Sequence, residues 1–169
     1  MRLHTGAPIV IRPIRADDKA LLVRGMARLS HESAYQRFLT PKEQLTEEEL
    51  RYLTEVDFRD HVALVGVLAT APETVVAVGR WVRLRDDPEV AVIAFVVSDD
   101  LQHHGLGTAL AEALADSARE RGVRRFVATM LPDTLAAHRL FARIAQAREI
   151  TGDGPLHELS GEIRPARAA

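Results

Sequence analysis

The 169 residues and 18.7 kDa suit one ordinary domain over residues 1–169, able to bury about two-thirds of the surface its unfolded chain exposes. Hydrophobic residues at 47% and charged residues at 27% exclude a disordered chain, and no apolar run approaches the roughly 20 residues of a membrane span. A net charge of −2 gives no global pull toward nucleic acid or anionic lipid, and the absence of cysteine excludes a disulfide scaffold, a thiolate metal site and a cysteine nucleophile. With no apolar leader near Met1, the expected location is cytoplasmic, away from nucleic acid and membrane. Lys19 and Lys42 are the only lysines, so the positive charge is nearly all arginine. That bias reads either as guanidinium anion recognition or as the base composition of an alanine-rich chain.

Residues 8–14 read as a short strand. Asp17 and Asp18 supply early-helix negative charge, and Leu21, Leu22, Met26 and Leu29 recur at helical spacing. Ser30 caps a short helix ending near Phe38. Thr46 with Glu49 three residues later is a capping-box pattern, followed by Leu50 and Leu53. The pattern then changes to strands over 62–68 and 74–84, with Ala71-Pro72-Glu73 as the hairpin turn. Arg85 to Pro88 is a second turn. Val90 to Val97 is eight unbroken apolar residues, which predicts a strand covered on both faces. Asp86, Asp87, Asp99 and Asp100 read as solvated turn residues. Leu106, Leu110, Leu114 and Ala118 repeat every four residues, marking an amphipathic helix that Gly122 ends. A strand over 125–130, a helix opened by Pro132 with Leu135, Leu140, Phe141 and Ile144 on its apolar side, and weak strands within 148–163 complete the chain. The order predicts an α/β fold with a mixed, mostly antiparallel sheet flanked by helices.

The segment from Gln102 through His103, His104, Gly105, Leu106 and Gly107 to Thr108 joins the buried strand to that helix. Glycines at 105 and 107 let backbone approach a ligand, and the first helix amides have no internal partners. Such a loop either binds a phosphate or merely connects two elements. It is neither a dinucleotide fingerprint, since Leu110 stands where a third Gly or Ala belongs, nor a P-loop, since no lysine is near. Adjacent His103 and His104 have no third ligand at a metal-binding spacing, so no metal is expected.

The Gln-x-x-Gly-x-Gly pattern after a buried strand resembles the acetyl-CoA pyrophosphate loop of the GNAT acyltransferase superfamily. The likeness covers nearly the whole chain. The stretches Leu29-Ser30-x-x-Ser33-x-Tyr35-x-Arg37-Phe38 and Leu45-Thr46-x-x-Glu49-Leu50 resemble the acetyltransferase domain of bacterial protein lysine acetyltransferases. The resemblance implies an N-acyltransferase that uses acetyl-CoA or another short acyl-CoA, with a protein lysine or small amine as acceptor. It implies that Phe95 and Val97 pair with pantetheine, and that a backbone N–H near Val97 meets the oxyanion. Gln102, His104, Gly105, Leu106, Gly107 and Thr108 then form the pyrophosphate cradle, and Thr134, Leu140 and Phe141 flank the thiol. Tyr35 and Arg37 become candidates for acceptor recognition, or else ordinary packing and surface residues. A homodimer is possible on the same ground.

Departures from the family pattern fall on the chemistry. Val92 occupies the position of the general-base glutamate, and Glu89 has the opposite strand parity. Phe141 replaces a tyrosine acid, His104 replaces a common arginine or lysine, and Thr134 replaces a common asparagine. His138 reads as a base or substrate contact, or as a partly exposed helix histidine. Trp81 reads as packing. A catalytically weak CoA-binding sensory module is therefore the alternative to an active enzyme.

Overall fold

Short-range chemistry sets where the elements begin. The computed structural model describes residue 1 and residues 6–151 and 154–166, without the side chains of residues 149–151. Strand β1 (Ile9–Pro13) leads into a single 3-10 turn, Ala16–Asp18, and then helix α1 (Lys19–Arg28). Asp18 is buried in that turn. Its carboxylate accepts from both terminal nitrogens of Arg12 (2.7 and 2.8 Å) and from the backbone N–H of Arg15 (2.8 Å). Arg12 holds it below the usual carboxylate range. Ser30 caps α2 (His31–Phe38) by accepting from the N–H of Ser33. The Thr46–Glu49 capping box forms in both directions and opens α3 (Glu47–Thr54).

The sheet has seven strands in the order β1-β2-β3-β4-β5-β7-β6. Strands β2 (His61–Leu68) and β3 (Ala71–Arg83) make the expected hairpin. The turn lies at Ala69-Thr70, however, and Ala71 to Glu73 belong to β3. A bulge at Gly66 to Leu68 absorbs the extra residues, which short-range turn propensity does not reveal. Strand β4 (Val90–Val97) is the central strand, antiparallel to β3 and parallel to β5 (Arg125–Met130). The long helix α4 (Leu106–Glu120) crosses between β4 and β5. Helix α5 (Leu135–Ile144) begins after Thr134, later than Pro132 suggested, and runs straight into β6 (Ala145–Thr151). Strand β7 (His157–Ile163) inserts between β5 and β6.

The two faces of the sheet bury separate cores. On one, Ile14, Leu22, Leu53, Ala63, Val65, Val67 and Val75 pack beneath α1 and α3. On the other, Leu106, Leu110, Leu114, Phe126, Phe141 and Ile144 join Trp81 beneath α4 and α5. Gly79 lets α4 sit close, since a Cβ there would lie 2.6 Å from Leu114 Cδ1. No helix among the described residues is long and apolar enough to cross a membrane.

Trp81 is a packing residue, fully buried in the larger core. Its indole N–H donates to Ser117 Oγ at 2.8 Å, while the Ser117 hydroxyl donates to the Leu114 carbonyl at 2.8 Å. Ser117→Ala strands a buried indole N–H, so it should cost about 1–3 kcal/mol in denaturant unfolding. In a Trp81→Phe background, where no N–H remains to strand, the same substitution should cost much less.

Candidate active site

The two central parallel strands are joined for only part of their length. Val90, Ala91 and Val92 pair with Arg125, Phe126 and Val127, and no pairing with β5 follows from Ile93 onward. Strand β5 keeps its partner β7 along its whole length, so the gap opens on the β4 side. The Ser98 N–H bonds back to the Val76 carbonyl across β3 (2.8 Å). Strand alternation then turns the N–H groups of Phe95 and Val97 away from β3 and toward the gap. The apolar run is therefore not covered throughout. Its second half forms one wall of a cleft of about 560 Å³.

The base of that wall is tied down by two polar side chains. Gln102 Nε2 donates to the Val97 carbonyl (3.2 Å) and to Ser33 Oγ (3.4 Å). Asp99 accepts from the Ser30 N–H (3.1 Å), Ser30 Oγ (2.9 Å) and Ser33 Oγ (2.6 Å). Asp99 is thus a staple between α2 and the loop, not only a solvated turn residue. Burial pushes its carboxyl up, but the Ser33 and Ser30 donors outweigh that and leave it below the usual range.

The chain then turns sharply into α4. His103 has φ 64 and Gly105 φ 89, both left-handed. Gly105 is the N-cap, and its carbonyl takes the first helical bond from Ala109 (3.1 Å). The preceding amides, with no intrahelical acceptor, and the positive end of the helix dipole are presented at the cleft. Gly107 lies on the cleft wall, where a Cβ would come 3.0 Å from Leu140 Cδ1. Across the gap, Thr134 contributes a buried Oγ1 that has no hydrogen-bond partner among the described residues.

The cleft brings together Phe95, Val97, Gln102, Gly105, Gly107, Thr108, Thr134, Leu140 and Arg37. Other sequence candidates lie elsewhere. His103 reaches the cleft wall and His104 does not. The side chains of Leu106 and Phe141 are fully buried in the core, so only the Leu106 backbone is available to a ligand. Tyr35 is exposed and outside the lining. His138 Nδ1 sits 2.8 Å from the Thr134 carbonyl, and its ring lies edge-on to His157 at 5.9 Å, away from the cleft. Val92 is 39% exposed. Sequence reading missed Arg139 and Arg143, which line the cleft from α5 at i, i+4 spacing on its polar face. Arg143 also pairs with Glu112 (2.9 Å). The only available signal was that i, i+4 arginine pair, which flanks Leu140 on the helix.

Among known proteins, the acetyltransferase (GNAT) family profile matches residues 26–145. Acetyltransferase Pat of Mycolicibacterium smegmatis is 35% identical over 144 residues, which are 85% of this chain but 43% of that protein. The chain thus spans less than half the length of that relative. The crystal structure of the GNAT domain of S. lividans PAT superposes with a TM-score of 0.86 at 30% identity, covering 96% of this chain and 95% of that one. A putative acetyltransferase yncA from Salmonella typhimurium, solved with its cofactor acetyl-CoA, shares the fold at 17% identity and a TM-score of 0.70, covering 95% and 96%. The split central strands, the glycine turn into α4 and these matches converge: the chain belongs to the acetyltransferase (GNAT) family, as a domain of the Pat type.

Proposed function

We propose that the chain transfers an acetyl group from acetyl-CoA directly to an amine. The observation that carries this is the gap between β4 and β5 running onto the glycine-bearing N-terminus of α4. Three features fit the co-substrate. Free helix amides suit a pyrophosphate, the unpaired N–H groups of Phe95 and Val97 suit an amide-bearing arm, and the orphaned Thr134 Oγ1 gains a partner when the cleft fills. Arg139, Arg143 and His103 add polar contacts at the rim. The acetyl-CoA found with the Salmonella relative and the acetyltransferase relatives support the enzyme over a silent CoA-binding module.

When bound, the thioester supplies a pre-activated acyl group. The remaining work falls to this chain. The Val97 N–H stabilises charge on the carbonyl oxygen. The amine nitrogen forms the new C–N bond, the C–S bond breaks, the nitrogen releases one proton to solvent, and the departing thiolate takes one up from solvent. No carboxylate lines the cleft among the described residues, and Val92 cannot accept that proton. His61, on the same sheet face, is not a substitute. Burial and Arg80 push it down to about 4, and its Nε2 already accepts from Arg80. The amine therefore arrives neutral and loses its proton to solvent.

Three outcomes check this reading. Gly105→Trp places a bulky side chain at a left-handed position in the cradle, and should abolish acetyl-CoA binding in calorimetry while the fold, read by circular dichroism, survives. Val92→Glu should raise the rate of CoA-thiol release with a simple amine by at least about 10-fold, with acetyl-CoA affinity unchanged. In the native chain, kcat/KM should climb with a slope near one per pH unit and break at the acceptor's own pKa. Changing to a less basic amine should move the break with it; a break that stays fixed would place the base on the protein instead.

A further inference from the structure

A second pocket, of about 60 Å³, lies on the α1–α3 face of the sheet. Its walls are mostly apolar, including Leu22, Met26, Leu45 and Leu53, yet two arginines enter it, Arg37 from α2 and Arg80 from β3. Arg80 is only 5% exposed. One terminal nitrogen donates to the Leu53 carbonyl (3.1 Å) and to His61 Nε2 (2.9 Å), but its buried Nε has no partner. Arg37 makes no hydrogen bond or ion pair among the described residues, and stacks over the Phe38 ring at 4.9 Å.

Neither guanidinium has a counter-ion among the described residues. No carboxylate lines the pocket, and none of the described ion pairs involves either arginine. The groups facing them are His61 and the Tyr52 phenol. Asp57, the nearby acid, is committed to the backbone N–H groups of Arg59, Asp60 and His61, each at 2.9 Å. Burial, with Arg37 adding to it, pushes Arg80 down to about 9. Two converging cations under an apolar roof are costly unless an anion completes them. The planar guanidinium fork suits a carboxylate, and the volume admits that group with one or two carbons rather than a diphosphate.

The pocket adjoins the cleft, because Arg37 and Val96 line both. We propose that Arg37 and Arg80 bind a carboxylate carried by the acceptor, so that the acceptor is a small amino-acid-like amine. The proposal rests on the acyl-transfer reading above, and its test separates the two.

Without any CoA present, sodium acetate should raise the melting temperature of the wild-type chain beyond sodium chloride at equal ionic strength. Arg80→Met and Arg37→Met should each lose that acetate effect. In the absence of acetate, Arg80→Met should be at least as stable as wild type, since it removes an uncompensated charge. With acetyl-CoA, alanine should exceed alaninamide in kcat/KM by roughly 10- to 100-fold, after correction for each amine's own protonation. Arg80→Met should erase that preference, and Arg80→Lys should keep part of it. Acetate acting no differently from chloride on the wild type overturns the site. Acetate binding without an advantage for alanine over alaninamide, or a preference for neutral lysine peptides, overturns its role in the acceptor. If Arg80→Met does not fold, Arg37→Met decides by the same two readouts. Absence of transfer to any amine would sink the acyl-transfer reading, while the acetate measurement would still decide the anion site.

Discussion

A parallel sheet cannot be split without baring backbone N–H and C=O groups, and β4 and β5 are split after Val92. The sheet tolerates this because each strand keeps a partner on its other edge, β3 for β4 and β7 for β5. The exposed edge is then specific rather than sticky. The Val97 carbonyl is taken by Gln102, while the Phe95 and Val97 N–H groups remain turned to the cleft. The remaining site features depend on this parting. It lets α4 start at the strand end, sets Gly107 against Leu140, and brings α5 across the gap.

The helices on the opposite face are coupled to that edge by polar contacts rather than by packing alone. Asp99 reaches Ser30 and Ser33 of the α2 cap, and Gln102 reaches Ser33. One short stretch of loop therefore sets both the co-substrate cradle and the position of Arg37. Movement of α2 would be felt at the end of β4, which is where the acyl carbon must sit for the proposed transfer.

Much of the fold was legible because its signals are local. The Ser30 cap, the Thr46–Glu49 box, the apolar run at 90–97 and the four-residue repeat of α4 each depend on neighbours within a turn or a strand. The candidate site was legible along the stretch from Phe95 to Thr108 and at Thr134 and Leu140, where a strand end, a glycine turn and a helix start follow one another in the chain. Arg80 was not, since an arginine in an alternating strand looks like a solvent-facing residue; it is buried by α2 and α3, which precede it by more than a helix length. Asp99 escaped for the same reason, with partners 66 and 69 residues away. The choice of His103 over His104 turned on a left-handed φ that sequence does not display.

Val92 and Arg80 are best understood together. Pairing of Val82 with Val92 and of Arg80 with Ala94 puts both side chains on the α1–α3 face, diagonal to each other across β3 and β4. Diagonal neighbours on one face lie about 7–8 Å apart, within reach of an arginine. A glutamate at 92 would thus meet the Arg80 guanidinium. The pair would lower the carboxylate's basicity and give the Arg80 guanidinium a counter-ion. A chain can hold a strong base here or an open cation pair, but the two weaken each other. With valine at 92 the arginines keep no carboxylate partner among the described residues, and on the proposed reading the amine must come to the site already neutral, because no side chain there takes its proton.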